Sequence, residues 1–188
     1  MRYTIYMVIG IDVSQSVYTG TGVGKYVREM TKALVQQAPE HTYVLFGSSL
    51  RQQQALIAFG NEVKAYAKNV YVKIFPLPPT ILDILWNKLH ILPIHWFIGH
   101  VDVFWSSDWT QPPLGNTTIG LTTIHDVSFL RFPESFHKTI VAVQRRRLAR
   151  AKKECRLFLC DSEATKQDVK RLLHISDNQL VVIYPGYR

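Results

Sequence analysis

The loop Thr19-Gly20-Thr21-Gly22-Val23-Gly24-Lys25 follows an apolar run, Tyr3 to Val13, and opens an amphipathic segment. Glycines let a backbone turn tightly and come close to a ligand. A helix starting directly behind them adds free N–H groups and the positive end of its dipole, a combination that holds phosphate. Gly20, Gly22, Gly24 and Lys25 are therefore candidate diphosphate-binding residues, the alternative being a tight structural turn. The loop is not a Walker A motif, because Thr19 stands at its first glycine position and Tyr26 where it needs Ser or Thr. It is not the dinucleotide fingerprint either, since Lys25 occupies the place of the third glycine.

Three other clusters carry usable chemistry. His125-Asp126 closes the run Thr117 to Ile124, where an imidazole at a strand's end titrates near neutrality. Asp126 can set the tautomer, act independently, or only cap a turn toward Pro133. In Asp161-Ser162-Glu163, Asp161 or Ser162 suits a helix N-cap, and the Ser162 hydroxyl can also hold a substrate oxygen. In Trp105-Ser106-Ser107-Asp108-Trp109, aromatic faces beside hydroxyl and carboxylate groups suit a sugar ring. Trp109 and Asp108 are the candidates there, Trp105 being equally suited to the core. Trp86 and Trp96 lie in apolar helical segments and are expected to be buried.

These groups need a scaffold, and the chain alternates apolar runs with helical patterns almost throughout. Strands are expected at Tyr3 to Val13, Thr42 to Phe46, Val70 to Phe75, Val101 to Trp105, Thr117 to Ile124, Arg156 to Cys160 and Leu180 to Tyr184. Helices are expected at Gly22 to Gln37, Ser49 to Phe59, Thr80 to His90, Ser135 to Lys153 and Ser162 to Leu173. Strands that are continuously apolar belong to a parallel sheet covered on both faces. The expected fold is α/β, a doubly wound Rossmann-like parallel sheet in a single domain. Ligands in such folds gather beyond the carboxyl ends of the strands, which selects the loops Val13 to Gly24, His125 to Pro133 and Asp161 to Thr165.

Length and composition agree with one globular core: 188 residues, 47% hydrophobic and 12% aromatic. Cys155 and Cys160 form neither a metal set nor a disulfide framework, so no metal is expected, and reduced buried thiols suit a cytoplasmic protein. No secretory signal is evident, because Asp12 interrupts the first apolar run, and Ile81 to Ile98 is too polar to span a membrane. Of the net charge of +8, seven cations between Arg145 and Arg156, against Glu154 alone, contribute +6. Such a basic amphipathic helix is either a solvated face or a surface for anionic lipid. Together with Ile81 to Ile98 it makes peripheral contact with the cytoplasmic membrane face a possible partnership. Arg147 falls within the apolar arc, either snorkelling or pointing at an anion. No nucleic-acid module is present, and nucleic acid is not an expected partner.

Taken in order, the motifs resemble the amino-terminal half of the family-four retaining glycosyltransferases of GT-B fold. The matching stretches are Ile9-Gly10-Ile11-Asp12, Gly20 to Tyr26, Val101-Asp102-Val103-Phe104, Thr123 to Phe129 with Phe132-Pro133-Glu134, Cys160 to Lys166, and Val181 to Gly186. The resemblance implies sugar transfer from a nucleotide-sugar donor to a glycan or lipid-linked acceptor, with retained configuration and no cofactor or metal. It implies that Gly20, Gly22 and Gly24 reach the donor diphosphate and that His125 and Asp126 line the reaction centre. Ser162 would lie near the cleft.

Two departures qualify this. The sequence ends at Arg188, where such enzymes enter a donor-binding domain carrying a characteristic glutamate pair; Glu154 and Glu163 have the wrong spacing and place. Trp105 also stands where relatives often have histidine. The expectation is thus an acceptor domain spanning residues 1–188, inactive alone and completed by a carboxyl-terminal half, covalent or separate, that meets it near Pro185. The competing expectation is a non-catalytic module that binds a glycan or glycolipid.

Overall fold

The computed structural model describes residues 6–186. Seven parallel strands form one sheet: β1 (Val8–Asp12), β2 (Thr42–Ser48), β3 (Val70–Phe75), β4 (Val103–Ser106), β5 (Ile119–Ile124), β6 (Cys155–Cys160) and β7 (Leu180–Val182). Their order is β3-β2-β1-β4-β5-β6-β7. The winding direction reverses between β1 and β4, which opens a crevice at their carboxyl ends.

The helices are α1 (Gly22–Gln37), α2 (Gln53–Lys64), α3 (Pro79–Leu82), α4 (His95–Ile98), α5 (Ser128–Arg131), α6 (Lys138–Glu154) and α7 (Glu163–Leu173). α3 runs on as a π-helical segment, Asp83–Leu89, so the expected helix from Thr80 has two geometries. α4, a single turn, falls in the apolar helical segment expected around Trp96, whereas α5 was not anticipated, being too brief to show a period. β1 begins at Val8 rather than Tyr3; residues 3–5 lie outside the described region.

The apolar character of the strands follows from burial on both faces. Along β2, Tyr43 and Leu45 join the cluster with Ile9, Ile11, Val27 and Leu56, beneath α1 and α2. Val44 and Phe46, alternating with them, pack on Leu82, Trp86, Ile98 and Phe104 instead. A third cluster joins Ile124, Phe158, Leu148 and Val169 under α6 and α7. Each fully buried aliphatic or aromatic side chain contributes about 1.5–3 kcal/mol against the entropy of ordering the chain. Trp86 belongs to this core, but Trp96 does not: it is 69% exposed. One turn of helix cannot bury all sides, and α4 turns Ile98 inward while Trp96 faces out.

Candidate active site at the carboxyl edge

The glycine loop and α1 form one unit. Thr21 is the N-cap of α1, its Oγ1 accepting from the Gly24 N–H (3.0 Å) and donating to the Tyr18 carbonyl (2.8 Å). The Lys25 N–H bonds the Thr21 carbonyl at 3.1 Å. Of the four donors that begin a helix, those of Gly22 and Val23 therefore have no partner among the described residues. The three glycines divide by role. A Cβ on Gly24 would collide with the Tyr18 carbonyl, so this glycine serves the turn. Gly20 and Gly22 are exposed with open space around them, and nothing within the chain requires their small size. Lys25 is exposed and has no acidic partner among the described residues.

His125 sits just past β5 and is held from three sides. Its Nδ1–H donates to Asp161 Oδ2 at 2.6 Å, the Tyr26 ring meets it edge-on at 4.9 Å, and Thr165 Oγ1 donates to its carbonyl. A carboxylate only accepts, so the proton resides on Nδ1 and Nε2 is left for a ligand. The partner of His125 is thus Asp161, 36 residues away, rather than the adjacent Asp126. Asp126 is exposed and accepts from the Ser128 N–H (2.9 Å) and hydroxyl, holding the entry to α5. Ser162 is the N-cap of α7 and accepts from the Thr165 N–H at 3.1 Å, so its hydroxyl is engaged within the chain.

Between β1 and β4 the floor of the crevice is polar. Asp12, 3% exposed at the end of β1, accepts from the Ser14 N–H through Oδ1 (2.9 Å), while Oδ2 has no partner. Burial pushes its carboxyl up to about 6, the Ser14 hydrogen bonds pull it back, and Asp108 adds a smaller upward push. Arg147, 2% exposed, reaches from α6 to the Ser107 and Thr123 carbonyls (3.0 Å each) and to Thr122 Oγ1. It makes no ion pair among the described residues, and burial lowers its pKa, opposed by Asp108. Arg147 therefore neither snorkels nor reaches the surface: it fixes the carboxyl ends of β4 and β5.

Asp108 and Trp109 are half-buried, and their carbonyls are bound by Gln144 and Asn87. Trp105 is core, its Nε1–H donating to Thr123 Oγ1 at 3.1 Å. Burial also raises the Tyr26 phenol. Buried polar atoms without a partner gather here: Asp12 Oδ2, Ser16 Oγ, Tyr26 Oη, Asp108 Oδ1, Arg147 Nε and Asp161 Oδ1. Such atoms are rare in folded chains, and these six of the nine among the described residues belong to loops and strand ends around this edge. Among the described residues, no group of three His, Cys, Asp or Glu side chains is placed to hold a metal ion.

Sequence reading singled out His125 and the glycine loop, which face the same edge, but missed Asp12 and the His125–Asp161 pair. A carboxylate closing an apolar strand was the available sign for Asp12. Nothing local signals a pairing across 36 residues.

A parallel doubly wound sheet with a glycine loop after its first strand and polar groups at its switch point defines a Rossmann-like α/β domain. The family model described as Glycosyltransferase Family 4 matches residues 20–188, and the chain belongs to that family. No curated protein matches the chain. A crystal structure of a short-chain dehydrogenase from Oenococcus oeni PSU-1 is similar over 97% of both chains, at 11% identity and a TM-score of 0.46.

Proposed function

We propose that this domain supplies the acceptor side of a retaining glycosyltransferase. The donor is a nucleotide-sugar and the acceptor a glycan or a lipid-linked sugar. The observation that carries the reading is the shared edge: the Gly22 and Val23 N–H groups, without a partner among the described residues, and the exposed Lys25 follow β1 at the sheet edge where His125 follows β5, and Tyr26 of the same helix touches the His125 ring.

Sugar transfer must stabilise a departing nucleoside diphosphate and an oxocarbenium-like sugar. Two preorganised N–H groups at a helix start, with Lys25 beside them, oppose the charge that develops on the diphosphate. His125 Nε2, its ring fixed by Asp161 and Tyr26, accepts a hydrogen bond from a sugar hydroxyl, or donates one when protonated. The oxygens of Asp12 and Asp108 that lack a partner among the described residues would serve the acceptor. Asp126 and Ser162 act through the loops they cap.

The nucleotide itself is to be held by a second domain, joined to the chain or separate. Tyr184, 68% exposed beside Pro185, is apolar surface that such a domain would cover. The chain alone is then expected to bind nucleoside diphosphates weakly and to turn over no donor.

The test is a transfer assay on the chain completed by its donor-binding half, with product configuration read by NMR. Retention, with turnover lost in His125→Ala and donor affinity lost in Gly22→Ala, is the expected result. Turnover unchanged in both His125→Ala and Asp126→Asn would refute the site. Glycan binding without turnover in the completed protein would make it a non-catalytic module.

A further inference from the structure

α6 and the π-helical segment lie side by side on one face of the sheet. Arg146 pairs with Asp83 at 2.8 Å, and Arg150 donates to the carbonyls of Asn87 (3.1 Å) and Lys88 (2.7 Å). These bonds, with the burial of Arg147, turn three of the seven cations of this helical region inward. Arg145, Lys152, Lys153 and Arg156 remain exposed, as does Lys88.

The stretch packed against α6 carries large apolar side chains in water. Ile81 is 40% exposed, Ile84 44%, Leu89 58%, Ile91 46% and Trp96 69%. Five such residues within one short stretch exceed the single apolar side chains that ordinary surfaces scatter. The loop presenting Leu89 and Ile91 is held in place by His90. Its Nδ1 lies 2.9 Å from the Trp86 carbonyl and its Nε2 2.8 Å from Glu154 Oε1, while Glu154 Oε2 accepts from the Leu114 N–H. The two acids within residues 81–100 and 141–156, Asp83 and Glu154, are thus both engaged inward, and no free carboxylate faces out from those stretches.

We infer that this face is a docking surface for an anionic lipid bilayer. Aliphatic and indole groups enter the headgroup boundary while lysine and arginine beside them meet lipid phosphate. A second copy of the chain fits poorly, because packing this face on itself would bring two sets of unpaired cations together. Nucleic acid would satisfy the cations but leave Ile81, Ile84, Leu89 and Ile91 without partners. The inference goes beyond the transfer reaction and needs no donor, acceptor or turnover.

The experiment is co-sedimentation of the chain with vesicles of phosphatidylcholine, alone or with about one third phosphatidylglycerol, at low and high salt. Binding to the anionic vesicles alone, weakened by salt, is expected. Lys152→Glu with Lys153→Glu, and separately Trp96→Ala with Leu89→Ser, should each weaken partition by about tenfold or more. Tyr71→Ser, at an exposed aromatic on the β3 edge, should bind as the parent does, and circular dichroism should show every variant folded. The proposal is overturned if the chain stays in the supernatant with anionic vesicles at low salt. It is equally overturned if both patch variants bind undiminished, or if light scattering shows a dimer that the patch variants dissociate. None of these outcomes bears on sugar transfer to a water-soluble acceptor, so the two readings fail separately.

Discussion

Replacing Asp12 by asparagine should make the protein more stable at neutral pH. The carboxyl is 3% exposed, one oxygen lacks a partner, and its pKa is raised from the ordinary 3.8 to about 6, chiefly by burial. A carboxyl whose folded pKa exceeds its unfolded one binds its proton more tightly when folded. Stability therefore falls as pH rises through the window from 3.8 to about 6, and the penalty is complete above it. The shift corresponds to about 3 kcal/mol, with no discount for solvent screening at a group so buried. An asparagine side chain at this position keeps the acceptor for the Ser14 N–H but adds an amide donor to be satisfied, costing about 1 kcal/mol or more. Asp12→Asn should thus gain up to about 2 kcal/mol at neutral pH, the advantage vanishing as pH falls toward about 4. Urea unfolding followed by tryptophan fluorescence across that range measures it. Glu62 and Asp177, lowered chiefly by Lys32 and Lys166 respectively, lose stability in the opposite direction as pH falls, and they cancel in the difference between variants. A variant less stable at neutral pH, or a difference constant with pH, would refute the reasoning. A fold that keeps so costly a carboxylate at its crevice is consistent with a use for it there.

Gly24→Ala should lose about 1–3 kcal/mol because its Cβ meets the Tyr18 carbonyl. Gly22→Ala, in open space, should leave the urea midpoint within about 0.5 kcal/mol of the parent. Asp161→Ala should let the neutral His125 proton redistribute from Nδ1 to Nε2, as read by heteronuclear NMR; a proton still confined to Nδ1 would show that Asp161 does not set the tautomer. Cys155 and Cys160 are buried, with thiols pushed up to about 12 and about 11, so iodoacetamide should label neither in the folded chain. Rapid labelling in native buffer would contradict that burial.

The sheet was legible because burial on both faces writes itself as continuous apolar runs, and Val70–Phe75 was found with its true ends. The limits of α1 were equally plain, since Thr21 caps its start and Val23, Val27, Met30 and Leu34 keep its period. Single-turn helices leave no such trace, and the π geometry of Asp83–Leu89 has no period distinct from an α-helix over seven residues. At the site, local signals located the loops but not the partners inside them. Asp126 neighbours His125 in sequence, yet the strand's exit carries the imidazole toward β6 and Asp161. Likewise Arg147 stood out as a cation on an apolar arc, but its acceptors belong to β5 and the turn after β4.

Arg147 and Lys25 are two cations at one edge of the sheet, one sealed inside and one in water. Mobile ions crowd around an exposed ammonium and weaken its reach, but they have no access to a guanidinium packed between helix and sheet. Salt should therefore weaken the hold of Lys25 on an anion at this edge. The hydrogen bonds by which Arg147 ties the end of β4 to β5 should persist, so the frame of the crevice outlasts the attraction that fills it.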